Sequence, residues 1–382
     1  YEFYIDGKLS HIETNSFTLL LENNIWKIVH IIDTRRKKKK KKKIVLLVIT
    51  FIGFTANAQD SISKVKIEVS GFIDTYYSYD FDQPESKYKQ NFLYNYNRQN
   101  SFNVNIALLR ASISYENVYA KISAHAGTYV EDNYASESVK YLNEAYLGVF
   151  LNKSKTTTLE AGILPSYIGF ESAITHANLT ATRSILAENS PYYMTGVKFN
   201  HQFNNKWSLA GLVTNGWQHI EKPKNDLIPS FGTQLVYKPN NKNSINWSTF
   251  LGKEAYAGEF NMRYFSNLYW DTTWNTKWHS IFGFDYGIQD VSSKNNEKAT
   301  WFSPIMITQY NINSKWQMAH RIEYYQDEKN AIISSLLPFE TIGNSINFDF
   351  LANSKFKIRM EGKWYHATEN VFDLGNKKDN FS

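Results

Sequence analysis

From about position 65 onward, apolar and polar residues alternate with period two in segments about ten residues long. Over 316–326, Trp316, Met318, His320, Ile322 and Tyr324 share one parity, against Gln317, Ala319, Arg321, Glu323 and Tyr325. Over 356–366, Phe356, Ile358, Met360 and Trp364 oppose Lys357, Arg359, Glu361 and Lys363. Residues 118–126 and 282–289 behave likewise. Each segment predicts a strand with one apolar, aromatic-ended face and one polar or charged face. About ten residues is the length a tilted strand needs to cross a bilayer.

A recurring turn separates the segments. Asn204-Asn205-Lys206-Trp207, Asn275-Thr276-Lys277-Trp278, Asn313-Ser314-Lys315-Trp316 and Asn353-Ser354-Lys355-Phe356 share the pattern Asn-x-Lys-aromatic. Asn supplies tight-turn geometry and the aromatic starts the next strand. The last three motifs recur at intervals near 40 residues, which would suit propeller blades or a solenoid. Charge on alternate positions of the strands excludes that, because inner strands of a blade are buried on both faces.

Seven short turns, near 117, 153, 205, 242, 276, 314 and 354, alternate with longer links. The links lie near 80–101, 130–141, 165–191, 218–229, 255–258, 291–299, 327–340 and 368–379. Fifteen strands follow, with the start of a sixteenth at 380–382. The expected fold is all-β: a transmembrane antiparallel up-and-down β-barrel of about 16 strands over 59–382, its short turns periplasmic. The last strand reads as truncated, and closure would need it, because an open edge in lipid leaves backbone groups unpaired. One segment breaks phase: Phe102, Val104, Ile106 and Leu108 share a parity, and Leu109, Ala111, Ile113 and Tyr115 take the other. A β-bulge at Leu108–Leu109 would restore a single apolar face.

Composition sharpens this picture. Aromatics make up 16% of a chain whose mean hydropathy is −0.46, a mixture that suits alternating strands. The net charge of +6 belongs to the leader: residues 1–58 carry 11 basic and 5 acidic groups, and the remainder carries 31 of each. A nucleic-acid partner is therefore not expected. Lys37 through Lys43, an apolar core over 44–56 and Ala56-x-Ala58 form a signal peptide over 37–58, cut after Ala58. Residues 1–36 fit no part of this plan, and the first Met is Met194, so they read as a spurious upstream extension.

With no cysteine, thiol catalysis and cysteine-ligated metals are excluded. No nucleophile elbow, phosphate loop, dinucleotide fingerprint or paired-histidine zinc motif occurs. Neither a cofactor nor a metal is expected. Strand parity assigns Lys121, Arg263, Arg321, Glu323, Arg359 and Glu361 to the lumen, with Arg110 beside the phase slip. In a wide, wet lumen their ion pairs would contribute roughly 0–1 kcal/mol each, yet would set the field an ion crosses. The link 165–191 carries Glu171, Arg183 and Glu188. Loops longer than about 12–15 residues are usually functional or disordered. It reads either as an external surface loop or as one folded inward to narrow a pore.

Several segments carry a resemblance. They are Gly71-Phe72-Ile73-Asp74-Thr75-Tyr76-Tyr77, Asn143-Glu144-Ala145-Tyr146, and 161–172 with Ala161-Gly162-Ile163-Leu164-Pro165-Ser166. Thr182-Arg183-Ser184, Glu188-Asn189-Ser190-Pro191-Tyr192-Tyr193 and Asn215-Gly216-Trp217-Gln218 complete the set. Across 71–218 the chain resembles the β-barrel porin family of OmpL-like outer-membrane proteins. The resemblance implies an outer-membrane barrel and assigns no catalytic residue. The expectation is a porin passing small hydrophilic solutes or ions, with outer-membrane lipid around it and a homo-oligomer compatible with the fold. A plugged barrel serving as a surface receptor or structural protein is the alternative; a barrel enzyme acting on lipid stands behind it.

Overall fold

A computed structural model describes residues 65–382 apart from 85, 224–227, 293–295 and 336. It also gives the backbone of three strands, Glu2–Ile5, Lys8–Glu22 and Ile25–Arg36, which form an antiparallel sheet within a separate unit. The expected extension over 1–36 thus carries strands of its own, and the expected signal peptide over 37–58 lies outside the described residues.

The second unit is one sheet of sixteen antiparallel strands, each paired with its neighbours in sequence. The first eight are β1 (Lys66–Ser78), β2 (Ser101–Tyr115), β3 (Val118–Ala126), β4 (Leu142–Phe150), β5 (Thr157–Pro165), β6 (Tyr193–Gln202), β7 (Trp207–Thr214) and β8 (Ser230–Asn240). The rest are β9 (Asn243–Tyr256), β10 (Glu259–Thr273), β11 (Trp278–Asp290), β12 (Lys298–Asn311), β13 (Trp316–Asp327), β14 (Phe339–Asn353), β15 (Phe356–Ala367) and β16 (Asp379–Phe381). All seven expected short turns and eight longer links fall between these strands. The two edges of the sheet meet at the long-loop end. Phe81 N–H donates to the Phe381 carbonyl at 2.9 Å, and the Asn380 amide donates to Asp80 and Asp82.

The short turns have a common cause. The Asn204 Oδ1 accepts the N–H groups of Lys206 (2.8 Å) and Trp207 (3.0 Å). Asn275 and Asn313 repeat this pair of bonds, and Asn240 and Asn353 make the first of them. Such Asx turns fix the reversal and hence the register of both flanking strands. The outward face is apolar and uncovered: Ile73, Phe102 and Met360 are 74%, 86% and 69% exposed. In lipid, that face is the one the solvent requires.

The bulge lies earlier than the sequence suggested. Asp74 pairs with Ile106 and Thr75 with Val104, so Asn105 is the extra residue on β2. From Leu108 to Leu109 the ladder to β3 is unbroken. Ile106 and Leu108 therefore turn inward, where they are buried beside Tyr129 and Val130 of the short helix α1 (Thr128–Asn133). Phase alone could not locate this bulge, because both parities of β2 carry apolar residues and the interior accepts them where α1 packs.

Candidate functional site

The link between β5 and β6, residues 166–192, folds into the barrel. Its backbone is tied to inward-facing side chains on many strands of one wall. Asn347 on β14 accepts the Ala181 N–H at 3.1 Å, Glu361 on β15 the Thr182 N–H at 2.6 Å, and Glu323 on β13 the Ile185 N–H at 2.6 Å. Arg321 on β13 donates to the Thr182 carbonyl (2.8 Å) and to the hydroxyls of Thr180 and Thr182. Arg359 on β15 donates to the carbonyls of Thr175 and Asn178, both at 2.9 Å, and is held by a bidentate pair with Asp349. Ser184 caps the short helix α2 (Ile185–Glu188), its hydroxyl accepting the Ala187 N–H.

Two glycines in the wall make slots for the loop. A Cβ at Gly232 would stand 2.0 Å from the Tyr167 hydroxyl, which passes over it to donate to the Thr249 carbonyl at 2.6 Å. A Cβ at Gly283 would meet the Phe170 ring at 2.6 Å. Around these aromatics, Ile168 and Ile185 of the loop and Phe92 of the β1–β2 link join an apolar cluster with Phe265, Trp301 and Phe339 of the wall.

Of the residues expected in a wet lumen, several are dry. Arg321 and Glu323 are 1% and 2% exposed and form an ion pair at 3.0 Å, with Glu361 3.4 Å from the same guanidinium. Arg263 is buried between the rings of Trp217 and Trp301 and donates to Gln289 and to the Ala331 carbonyl. Arg183 donates to Tyr129 Oη at 3.2 Å and to the Ala187 carbonyl, with Glu188 3.8 Å away. Glu188 accepts the N–H groups of Tyr94 and Asn95 and the Asn95 amide, joining the β1–β2 link to the inward loop. The small energy expected for solvated pairs does not apply here: with one partner removed, a buried pair leaves an uncompensated charge costing roughly 3–5 kcal/mol.

The opposite flank of the loop is only partly filled: Ala173 and Ile174 pack in a cluster with Ile106, Leu108 and Tyr129, and a gap remains beside it. A cavity of about 420 Å³ lies between the loop and the β2–β5 side, lined by Arg110, Asn143, Glu144, Glu171, Arg183 and Tyr192 among others. Arg110, turned inward by the bulge at Asn105, pairs with Glu144 at 2.6 Å. Glu171 accepts the Ser184 N–H at 3.1 Å and the Ser184 hydroxyl. Its removal from water raises the carboxyl above the usual carboxylate range, against the pull of Arg321, Arg183 and Ser184. Lys121 stands apart, half-buried, with its ammonium 5.9 Å from the Tyr146 ring centre.

The structure thus gathers Arg321, Glu323, Arg359, Glu361, Arg183 and Glu188 around the loop, places Glu171 and Arg183 at the cavity, and leaves Lys121 and Arg263 elsewhere. Sequence reasoning missed Glu144 and Asp349. Both sit at inward parity, so extending the parity analysis to every strand would have found them. Among the described residues no group of three metal-ligating side chains comes together.

The family described as "Putative beta-barrel porin-2, OmpL-like" matches residues 66–382. No curated protein matches the chain. Among solved structures, the outer membrane channel DcaP of Acinetobacter baumannii is similar, with a TM-score of 0.56 and 11% identity over 87% of this chain and 98% of that one. An anion-selective porin from Comamonas acidovorans gives 0.55 and 7%, covering 83% and 97%. OmpT, an outer membrane protein of Vibrio cholerae, gives 0.53 and 10%, covering 85% and 97%. At such identities these likenesses bear on the fold alone.

Proposed function

The chain belongs to the OmpL-like β-barrel porin family, a passive-diffusion porin of the outer membrane, and from that premise we propose that solutes cross beside the inward loop rather than through the barrel axis. The observation that carries this reading is the asymmetry of the loop: it is bonded to β12–β15 on one flank and bounds the cavity of about 420 Å³ on the other. A 16-strand barrel is wide enough for an aqueous channel, and a loop pinned to one wall narrows it to an eyelet. Arg110, Glu144, Glu171 and Arg183 are the charges that bound this eyelet. A narrow passage lined by charges of both signs favours small hydrophilic or zwitterionic solutes over apolar ones.

In this reading Arg321, Glu323, Arg359 and Glu361 are anchors for the loop, and the chain works as a channel rather than an enzyme. Single-channel recording of the protein in a planar bilayer tests it. Stable open steps whose reversal potential shifts with Glu144→Gln support the route.

A second reading, a plugged barrel presenting its outer loops, is favoured by the apolar cluster that Phe92 and Ile185 build inside the wall. A folded, heat-modifiable barrel that never conducts would establish that reading in place of the first.

A further inference from the structure

The repeated Asn-x-Lys turns do more than reverse the chain. In each, the Asn side chain bonds backbone N–H groups, so the turn uses the main chain of the lysine and not its ammonium. Any residue with an N–H would complete the Asx turn. Even so, lysine occupies this position in all five: Lys206, Lys242, Lys277, Lys315 and Lys355. Across the seven short turns there are seven lysines and one acidic residue, Glu116. The longer links carry eleven basic and fourteen acidic residues, so the net positive charge lies at the turn end.

The position of these lysines defines their surroundings. Four of them immediately precede a lipid-facing aromatic: Trp207, Trp278, Trp316 and Phe356, which are 39–57% exposed. Three of these rings pair across strands with Tyr237, Tyr310 and Phe350, at centroid distances of 4.2, 4.6 and 4.9 Å. Such a girdle marks the boundary between hydrocarbon and headgroups. The Lys277 ammonium lies 5.8 Å from the Tyr310 ring centre and 3.5 Å from its hydroxyl, on the outward face. All five side chains are exposed, and none has a carboxylate within ion-pair distance among the described residues.

We propose that this ring of turn lysines, set just beyond the aromatic girdle, is a docking surface for anionic phospholipid headgroups of the periplasmic leaflet. The ammonium groups reach headgroup phosphates while the aromatics sit at the acyl boundary, so the barrel holds a shell of anionic lipid at that end. This goes beyond the diffusion reading and does not depend on the channel being open.

The test uses the full chain reconstituted in vesicles of phosphatidylcholine and phosphatidylglycerol, then extracted in mild detergent. Native mass spectrometry counts the phosphatidylglycerol retained. The wild type retains it in preference to phosphatidylcholine. Replacing Lys206, Lys242, Lys277, Lys315 and Lys355 together by Gln lowers retention roughly fivefold, whereas Arg at the same positions keeps it within about twofold. Heat-modifiable migration checks that each variant is folded. Should the fivefold Gln variant not fold, Lys277→Gln alone must lower retention, and about 1 M salt must strip lipid held at about 0.1 M. Equal retention in wild type and Gln variant overturns the proposal. So does an equal loss in the Gln and Arg variants, or retention without preference for the anionic lipid. Binding of the turn end to peptidoglycan in place of phosphatidylglycerol would overturn it as well.

Discussion

On its flank toward β12–β15 the inward loop meets Arg321, Glu323 and Glu361 with almost no water, whereas on its flank toward β2–β5 it leaves Arg110 and Glu144 beside a cavity. Both flanks use arginines and glutamates at inward parity on their strands. The difference is cover. Where loop backbone and Thr hydroxyls fill the space, each charge is satisfied by several fixed partners and becomes a fastening. Where the space stays open, the same residue types face whatever passes. Burial decides the role, and residue type does not.

The largest expected break of this contrast is Arg321→Ala. It strands Glu323 and Glu361 in a closed interior and removes three bonds to Thr180 and Thr182, costing roughly 3–5 kcal/mol. Thermal unfolding should shift down, and single-channel conductance should rise as the loop leaves the wall. Gly232→Val should act in the same direction through packing. Its side chain occupies the slot of the Tyr167 ring, so we expect a loss of roughly 1–3 kcal/mol and noisier, larger current steps.

Arg110→Gln, by contrast, should cost less than Arg321→Ala, since Arg110 borders the cavity with its side chain 27% exposed, yet change ion preference toward cations in reversal-potential measurements. Equal stability losses for Arg321→Ala and Arg110→Gln would dissolve the distinction between the flanks.

The smallest effect concerns pH. The folded-state pKa of Glu171 is raised, so its contribution to stability is present at low pH and is lost as pH rises through that value. On acidification the cavity should therefore lose one negative charge at a pH above the ordinary carboxylate range. A selectivity change in that window, absent in Glu171→Gln, would sharpen the assignment of this carboxylate to the passage.

Most of the scaffold is legible in the sequence because it depends on local rules. Period-two alternation marks strands, and Asn at 204, 275, 313 and 353 marks turns by a bond within the turn itself. Parity likewise put Arg321, Glu323, Arg359 and Glu361 inside. Their dryness was not legible, since it depends on where 166–192 lies, and that is decided by slots at Gly232 and Gly283 far away in sequence. The bulge at Asn105 escaped for a related reason: Ile106 and Leu108 look like lipid-facing residues until α1 is known to pack against them.

The chain has no cysteine, which makes the central claim directly measurable by single-cysteine blockade. Glu144→Cys lies at the cavity, whereas Ser345→Cys on β14 lies buried behind the loop wall. A charged thiol reagent added during single-channel recording should reduce the current through Glu144→Cys and leave Ser345→Cys unchanged. Blockade at Ser345→Cys, with none at Glu144→Cys, would contradict a passage beside the pinned loop.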